Sequence, residues 1–473
     1  MRLFSTHKTL LQTTSTIHHH KTIYYKPLTI YHKTIHYSPQ TIHYSPNHSP
    51  HKYHSMTKML PLLRQSLLLF VLLSFWHPAF SQGYLRAEGN KITDGNGKEV
   101  LLRGIGLGGW TLQEPYMIKL SGIAVNQQDI RAKISKLIGA ERTKQFYDEW
   151  LKDGMQRSDI DSLAAWGFNS IRLPMHYNLF TLPVEKEPVT GKDTWLDKGF
   201  ELTDSLLSWC KADHIYLILD LHAAPGGQGH DLPIADRDST TASLWQSQAN
   251  REKTIALWKK LAERYKDEEW IGGYDLLNEP NWSFDDPDNS NNHGCADKDN
   301  APLKQLYKDI TQAIRSVDKH HLIIVEGNCW ANNHNGLFPL WDDNMMVSFH
   351  KYWNKNDVAS IQKYLDIRET YHVPLWLGES GENNNKWFHD AVQLMESNDI
   401  GWSWWPLKKI GQSNPFEVKM PPAYQQLVNY WKGRGTRPSA EEAYRALLQL
   451  AKNYRTENLI VHHDVLSALF GQK

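Results

Sequence analysis

Two glutamates close two apolar runs 100 residues apart: Glu279 in YDLLNEPNW (274–282) and Glu379 in VPLWLGES (373–380). Two carboxyl groups facing each other across a pocket suit cleavage of an acetal C–O bond: one protonates the leaving oxygen, the other attacks or stabilises the anomeric carbon. Taken singly, each glutamate reads as a structural carboxylate, so its neighbours decide. Arg172 in IRLP (171–174) has the fork that can hold a carboxylate ionised and oriented, and Glu379 is the partner expected for it. Tyr352 in SFHKY (348–352) can donate a hydrogen bond to the same carboxylate. Asn278, beside Glu279, suits a sugar 2-hydroxyl, a contact that strengthens in the transition state. The 19 tryptophans offer flat faces to the C–H faces of sugar rings.

Positioning such groups takes rigid elements. Beyond residue 90, β-rich apolar runs predict strands at 99–107, 168–174, 215–222, 271–279, 321–328, 345–352, 373–380 and 401–408. Amphipathic stretches such as LTDSLLSWCKADH, REKTIALWKKLAERYK, APLKQLYKDITQAIRSVDK, VASIQKYLDIRETYH and NKWFHDAVQLMESN lie between them, while 329–344 carries no helical pattern. Strands alternating with helices predict a parallel sheet covered on both faces, and eight units predict an α/β fold of the (β/α)8 (TIM) barrel type. Such a barrel builds its site at the C-terminal ends of the strands. Those ends carry Arg172, His222, Asn278, Glu279, Glu326, His350, Tyr352, Glu379 and the tryptophan cluster 402–405.

The C-terminal stretch from Pro438 has helical periodicity and is expected to complete the outer ring. Glu326 lacks a motif of its own and reads as structural or subsite-lining. His230 and Asp231 have no further spaced ligands and read as loop structure or substrate contact rather than a metal site. The acidic, Asn-rich segment 285–300 lacks the EF-hand spacing and reads as a solvated loop. GIGLGG (104–109) does not open into a helix with a dinucleotide fingerprint.

Charge narrows the partners. Basic and acidic residues balance at 52 each, but eight of the basic ones lie in 1–81, leaving 44 against 52 in the remainder. A mildly acidic body argues against nucleic acid. Residues 1–55 are low-complexity, with TIHYSP at 34–39 and again at 41–46, and carry a His18–His20 triplet. From Met56 the chain has the layout of a secretory signal: Lys58 and Arg64, an apolar run from Leu67 to Trp76, then Ala79 and Ser81. We therefore expect three regions: a low-complexity N-terminal extension at 1–55, a candidate gene-model artefact with Met56 as the true start, a signal peptide at 56–81, and one (β/α)8 glycoside hydrolase catalytic domain at 82–473. Secretion and no stable membrane insertion follow from that layout. Three cysteines cannot make a disulfide framework; Cys295 and Cys329 can pair in an exported chain, and Cys210 reads as a packed core thiol.

The ordered set IRLP, LDLHAAPG (219–226), LLNEP (276–280), SFHKY, LGES (377–380) and GWSWWPLK (401–408) resembles glycoside hydrolase family five, the retaining β-glycanases of the cellulase superfamily. The resemblance spans about residues 95–410. It implies Glu279 as general acid/base and Glu379 as nucleophile. Arg172, His222, Asn278, His350, Tyr352 and Trp405 match the surrounding pocket, and no metal or organic cofactor is implied. RGIGLGGWTLQEPYM (103–117) resembles the first loop of the exo-β-1,3-glucanase branch, which would place Glu114 on a terminal glucose. The stretches 226–245 and 281–300 depart from that branch and leave exo versus endo action and the linkage open. An endo-β-1,4-glucanase, a transglycosylase and a silent carbohydrate-binding barrel are the alternatives.

Overall fold

A computed structural model describes residues 83–471. The low-complexity extension and the signal read at 56–81 lie outside the described residues. Eight parallel strands close a barrel: β1 (Arg103–Gly106), β2 (Ser170–His176), β3 (Tyr216–Ala223), β4 (Ile271–Asp275), β5 (Ile323–Glu326), β6 (Met345–His350), β7 (Leu375–Gly381) and β8 (Gly401–Trp405), with β8 pairing back onto β1. Every predicted strand is present. The fold is the (β/α)8 barrel.

Alternation along the strands sorts the side chains. On β3, Leu217, Leu219 and Leu221 face the helices, while Tyr216 and Ile218 fill the barrel interior with Leu102, Ile324, Met346 and Trp376. A hairpin of Arg86–Glu88 and Lys91–Thr93 adds Leu85 and Ile92 to that interior cluster. The next inward positions up the same strands are polar: Arg172, Asp220, Asp275, Glu326 and His350, each at most 3% exposed. The barrel is thus apolar at one end and charged at the other.

Strand β7 breaks the alternation where it matters. Leu375 and Leu377 face outward, so a strict period of two would also send Glu379 outward. The register with both neighbours slips by one residue here, so that His350 of β6 pairs with Glu379 and Trp404 of β8 with Ser380. This bulge turns Glu379 to the inside.

Helices Arg157–Trp166, Asp197–Ala212, Gln248–Tyr265, Ala301–Arg315, Val358–Tyr371, Asn385–Glu396 and His463–Phe470 lie around the strands. Several start at side-chain caps, with Ser247, Asp357 and Asn384 each accepting from the backbone N–H three residues on. Between β5 and β6 there is only the four-residue turn Asn328–Ala331, as the missing helical pattern predicts.

The C-terminal stretch departs from expectation. Only His463–Phe470 joins the ring, where Phe470 meets the Phe168 ring edge-on at 4.8 Å. Ala440–Asn453 instead packs with Pro422–Trp431 on two helices of the long β1–β2 connection, Gln127–Ile138 and Ala140–Gly154. The reason is a second core: Leu447, Leu450, Tyr424 and Leu427 bury themselves against Ile130, Ile134, Phe146 and Trp150.

Cys295 and Cys329 are disulfide-bonded with a Cα–Cα distance of 4.7 Å, which ties the loop after β4 to the turn after β5. Cys210 is free and fully buried, and burial pushes its thiol pKa up.

Candidate active site

A cavity of about 790 Å³ opens at the C-terminal ends of the strands. Glu279, Glu379, His222, His350, Tyr352, Trp405 and Glu114, all singled out in the sequence, line it. Arg172 and Asn278 are fully buried and lie outside that lining.

Arg172 organises the floor. Its guanidinium donates to Glu379 Oε1, to Asn278 Oδ1 and Glu326 Oε1 at 2.8 and 2.9 Å, and to Asp275 Oδ2 at 2.9 Å, and it lies 3.1 Å from Asp220. Tyr352 donates its hydroxyl to Glu379 Oε2 at 2.8 Å. Glu379 therefore has a partner on each oxygen. Asn278 serves as an acceptor for Arg172 and as a neighbour of His222 Nε2 at 3.2 Å, so its side chain is engaged by the protein.

Glu279 is held differently. It follows the end of β4 with a left-handed backbone, φ 44°, a conformation that non-glycine residues seldom adopt. Its backbone N–H donates to Glu326 Oε2 at 2.6 Å, and its Oε1 accepts from His350 Nδ1 at 2.6 Å. Glu326 is fully buried and links Arg172 to the backbone of Glu279. Of the two roles read for it, the structural one fits, because a fully buried carboxylate lines no subsite.

Trp405 stacks on His222 with centroids 5.1 Å apart and planes at 6°, and donates its indole N–H to Tyr116. The glycines of the first loop make room for it: a Cβ on Gly106 would lie 2.3 Å from Trp405 Cε3. Glu382, another cavity carboxylate, is paired to buried Lys409 at 2.5 Å.

Carboxyl oxygens of Glu279 and Glu379 and a ring nitrogen of His350 lie within 4.8 Å of one another. Their proton affinities are pushed apart. Burial, reinforced by the charge of Glu379, raises Glu279 to about 7 against the opposing pull of His350. Burial pushes Glu379 upward too, but His350, Arg172 and His222 outweigh it and hold this carboxyl below its ordinary value. Burial opposes charge on His350, yet Glu326, Glu379 and the bond to Glu279 raise it well above an ordinary imidazole. Glu114 is raised well above the usual carboxyl range by burial and by Glu379 and Glu279. One carboxyl of the central pair is thus protonated near neutrality and the other ionised.

Asp220 and Asp275 went unremarked in the sequence, although a charge inside an apolar strand is itself a signal of a buried ion pair. Burial raises both well above the usual range against the pull of Arg172. Tyr116, Glu382, Trp330 and Asn332 also line the cavity, and loop residues of this kind carry no periodic signal. His230 stacks on Trp282 at 3.9 Å, and Asp231 accepts from the Trp330 indole at 3.1 Å.

A parallel barrel with two opposed carboxyls of split acidity at its C-terminal mouth defines a glycoside-hydrolysing enzyme. The chain belongs to glycosyl hydrolase family 5: the family model "Cellulase (glycosyl hydrolase family 5)" matches residues 126–410. It is similar to the beta-xylosidase of Phanerodontia chrysosporium, 28% identical over 73% of this chain and 75% of that protein. Endoglucanase C of Acetivibrio thermocellus is 23% identical over 62% of this chain and 94% of that protein, and a glucan 1,3-beta-glucosidase of Candida oleophila is 27% identical over 54% and 56%. Among solved structures, rutinosidase from Aspergillus niger shares the fold with a TM-score of 0.51, 17% identity and coverage of 66% of this chain and 91% of that one.

Proposed function

We propose that the chain is a retaining β-glucanase that releases sugar from chain ends, favours β-1,3 linkages and is exported from the cell. The observation that carries this reading is the pair Glu279 and Glu379, with oxygens within 4.8 Å and acidities pushed in opposite directions. Inverting glycosidases separate their carboxyls by ~6.5–9.5 Å to admit a water, whereas retaining pairs sit at ~5–5.5 Å.

In this mechanism Glu379, ionised and oriented by Arg172 and Tyr352, attacks the anomeric carbon while Glu279 gives its proton to the departing oxygen. The products of that step are a glycosyl ester on Glu379 and the freed leaving group. Glu279, now a carboxylate, takes a proton from water as the water displaces Glu379, and the sugar leaves with its configuration retained. His350 holds Glu279 through the 2.6 Å contact at Oε1.

Glu114, Tyr116 and Trp405 line the cavity on the β1 and β8 side, where the resemblance of the first loop would place a terminal glucose, and this supports exo-action. The likeness to a glucan 1,3-beta-glucosidase supports the linkage. The Cys295–Cys329 bridge supports export, because disulfides persist in oxidising compartments. Among the described residues no helix is long and apolar enough to cross a membrane. The same reading makes 82–473 one catalytic domain and a β-glucan oligo- or polysaccharide its partner.

The test is a time course of products from laminarin, cellulose oligomers, pustulan, lichenan, mannan and an aryl β-xyloside, the last because of the relative named beta-xylosidase. Glucose accumulating from the start on laminarin is the expected result. A ladder of oligomers would replace exo- with endo-action, sugar transfer products would make the chain a transglycosylase, and no turnover would leave a binding barrel.

The pH profile follows from the same pair. Glu279 must carry its proton, so kcat/KM falls as pH rises through about 7, and Glu279→Gln removes that limb. Glu379 must be ionised, and its lowered pKa puts the acid limb below the ordinary glutamate range. General acid catalysis contributes ~10²–10⁴-fold, so Glu279→Gln loses that much on poor leaving groups and much less on an aryl glycoside with a good one. A profile flat through pH 7 would contradict the assignment.

A further inference from the structure

We propose that Lys351 is a positioning residue for the reaction: its buried ammonium pins the loop after β6 and so holds the Tyr352 hydroxyl on the nucleophile. The proposal rests on the retaining reading above. Three observations converge on this residue.

The first is the cage around the ammonium. Lys351 is 3% exposed, and among the described residues no carboxylate forms an ion pair with it. Its Nζ donates instead to oxygens of three consecutive residues: Asn354 Oδ1 at 2.7 Å and O at 3.2 Å, Lys355 O at 2.8 Å and Asn356 Oδ1 at 2.8 Å. Oxygens of one loop turned onto a single positive centre are how a chain holds a hard cation, and here the cation is tethered to the chain itself. Trp387 closes the cage. Its ring centroid lies 4.8 Å from Nζ, its indole N–H donates to Asn354 O at 3.0 Å, and its carbonyl accepts from Asn356 Nδ2 at 2.9 Å.

The second is what the pinned loop carries. Residues 351–357 form neither helix nor strand, and Tyr352 lies between the end of β6 at His350 and the cage at 354–356. The chain is therefore fastened on both sides of the tyrosine whose hydroxyl donates to Glu379 Oε2 at 2.8 Å. The backbone of Lys351 is fixed to the nucleophile's own strand: its N–H donates to Glu379 O at 3.2 Å, and its carbonyl accepts from Ser380 Oγ at 2.7 Å. These contacts fall at the bulge that turns Glu379 inward. One residue thus ties the end of β7 through its backbone to the Tyr352 loop through its side chain.

The third is the choice of side chain. Burying an ammonium without a counter-charge forfeits its hydration, and packing alone would be met by an apolar residue of similar volume. Without the charge, the oxygens of Asn354, Lys355 and Asn356 would face one another with no donor among them, and the loop would have to open. Lys351, Tyr352 and Asn354 all line the cavity, so the segment that would loosen is the wall of the site.

The experiment is a double-mutant cycle on whichever substrate of the product panel the wild type cleaves fastest. Lys351→Met lowers kcat/KM by about tenfold or more, chiefly through kcat, since a misplacement of about 1 Å can cost ~10²-fold. Tyr352→Phe loses at least as much. In the double variant the losses do not multiply: its kcat/KM stays within about twofold of Tyr352→Phe alone, the pattern of two residues acting through one contact. If Lys351→Met fails to fold, Asn356→Ala, which takes one oxygen from the cage, replaces it in the cycle with the same expected pattern. Losses that multiply, or a first variant as active as wild type, would overturn the proposal and leave the glycosidase reading standing. A wild type inert on the whole panel would overturn that reading, and this proposal with it.

Discussion

Glu379→Gln abolishes glycoside cleavage, with kcat reduced by ~10⁴-fold or more, the scale seen when a nucleophile is removed from a preorganised site. The substitution keeps the shape and removes the charge, so the protein should fold normally and bind glycan. Both oxygens of Glu379 are already spoken for by Arg172 and Tyr352, which fixes the lone pair that attacks. The shorter Glu379→Ala leaves space beside the anomeric carbon. Azide should then restore turnover on an aryl β-glycoside by attacking directly, yielding the inverted α-glycosyl azide. Activity of Glu379→Gln close to wild type would remove the nucleophile from the account.

Arg172→Met lowers stability by ~3–5 kcal/mol, the cost of leaving buried charge uncompensated. Arg172 is fully buried and faces the carboxyls of Asp220, Asp275, Glu326 and Glu379. Methionine fills similar volume but leaves these groups facing one another. Lysine at 172 should recover little, since a single ammonium cannot present the fork that reaches Asp275, Asn278, Glu326 and Glu379 together. The effect is read as a drop in the midpoint of denaturant unfolding, and activity falls in step because Glu379 loses its orientation. An Arg172→Met protein as stable as wild type would show that the cluster sheds its charge by protonation alone.

How much of this was legible from residues alone depends on the distance over which each feature is set. The eight strands were legible because a strand covered on both faces needs a continuous apolar run, and IYLILDLH or HLIIVEGN has no other ready use. The contacts of Arg172 and Tyr352 with Glu379 followed from their places at strand ends, since a closed barrel turns all those ends to one mouth. The β7 bulge that turns Glu379 inward was not legible, because it is a register between strands and not a pattern within one. Nor was the partner of His350, which reaches across to Glu279, 71 residues away in the chain. The second core of Ala140–Gly154 and Ala440–Asn453 escaped for the same reason: each helix is amphipathic, but amphipathicity does not name the surface it will cover. Trp330 was invisible because its turn is imposed from outside by a disulfide and by hydrogen bonds to other loops.

The division of labour between Glu279 and Glu379 is tested most directly by trapping the glycosyl-enzyme. A 2-deoxy-2-fluoro-β-glucosyl fluoride carries a good leaving group for the first step and an electron-withdrawing substituent that slows the second, so the ester accumulates. Peptide mass spectrometry of the inactivated protein should find one fluoroglucosyl group, located on Glu379 in the segment LWLGESG, and none in Glu379→Gln. A label on Glu279 or Glu326 would contradict the account.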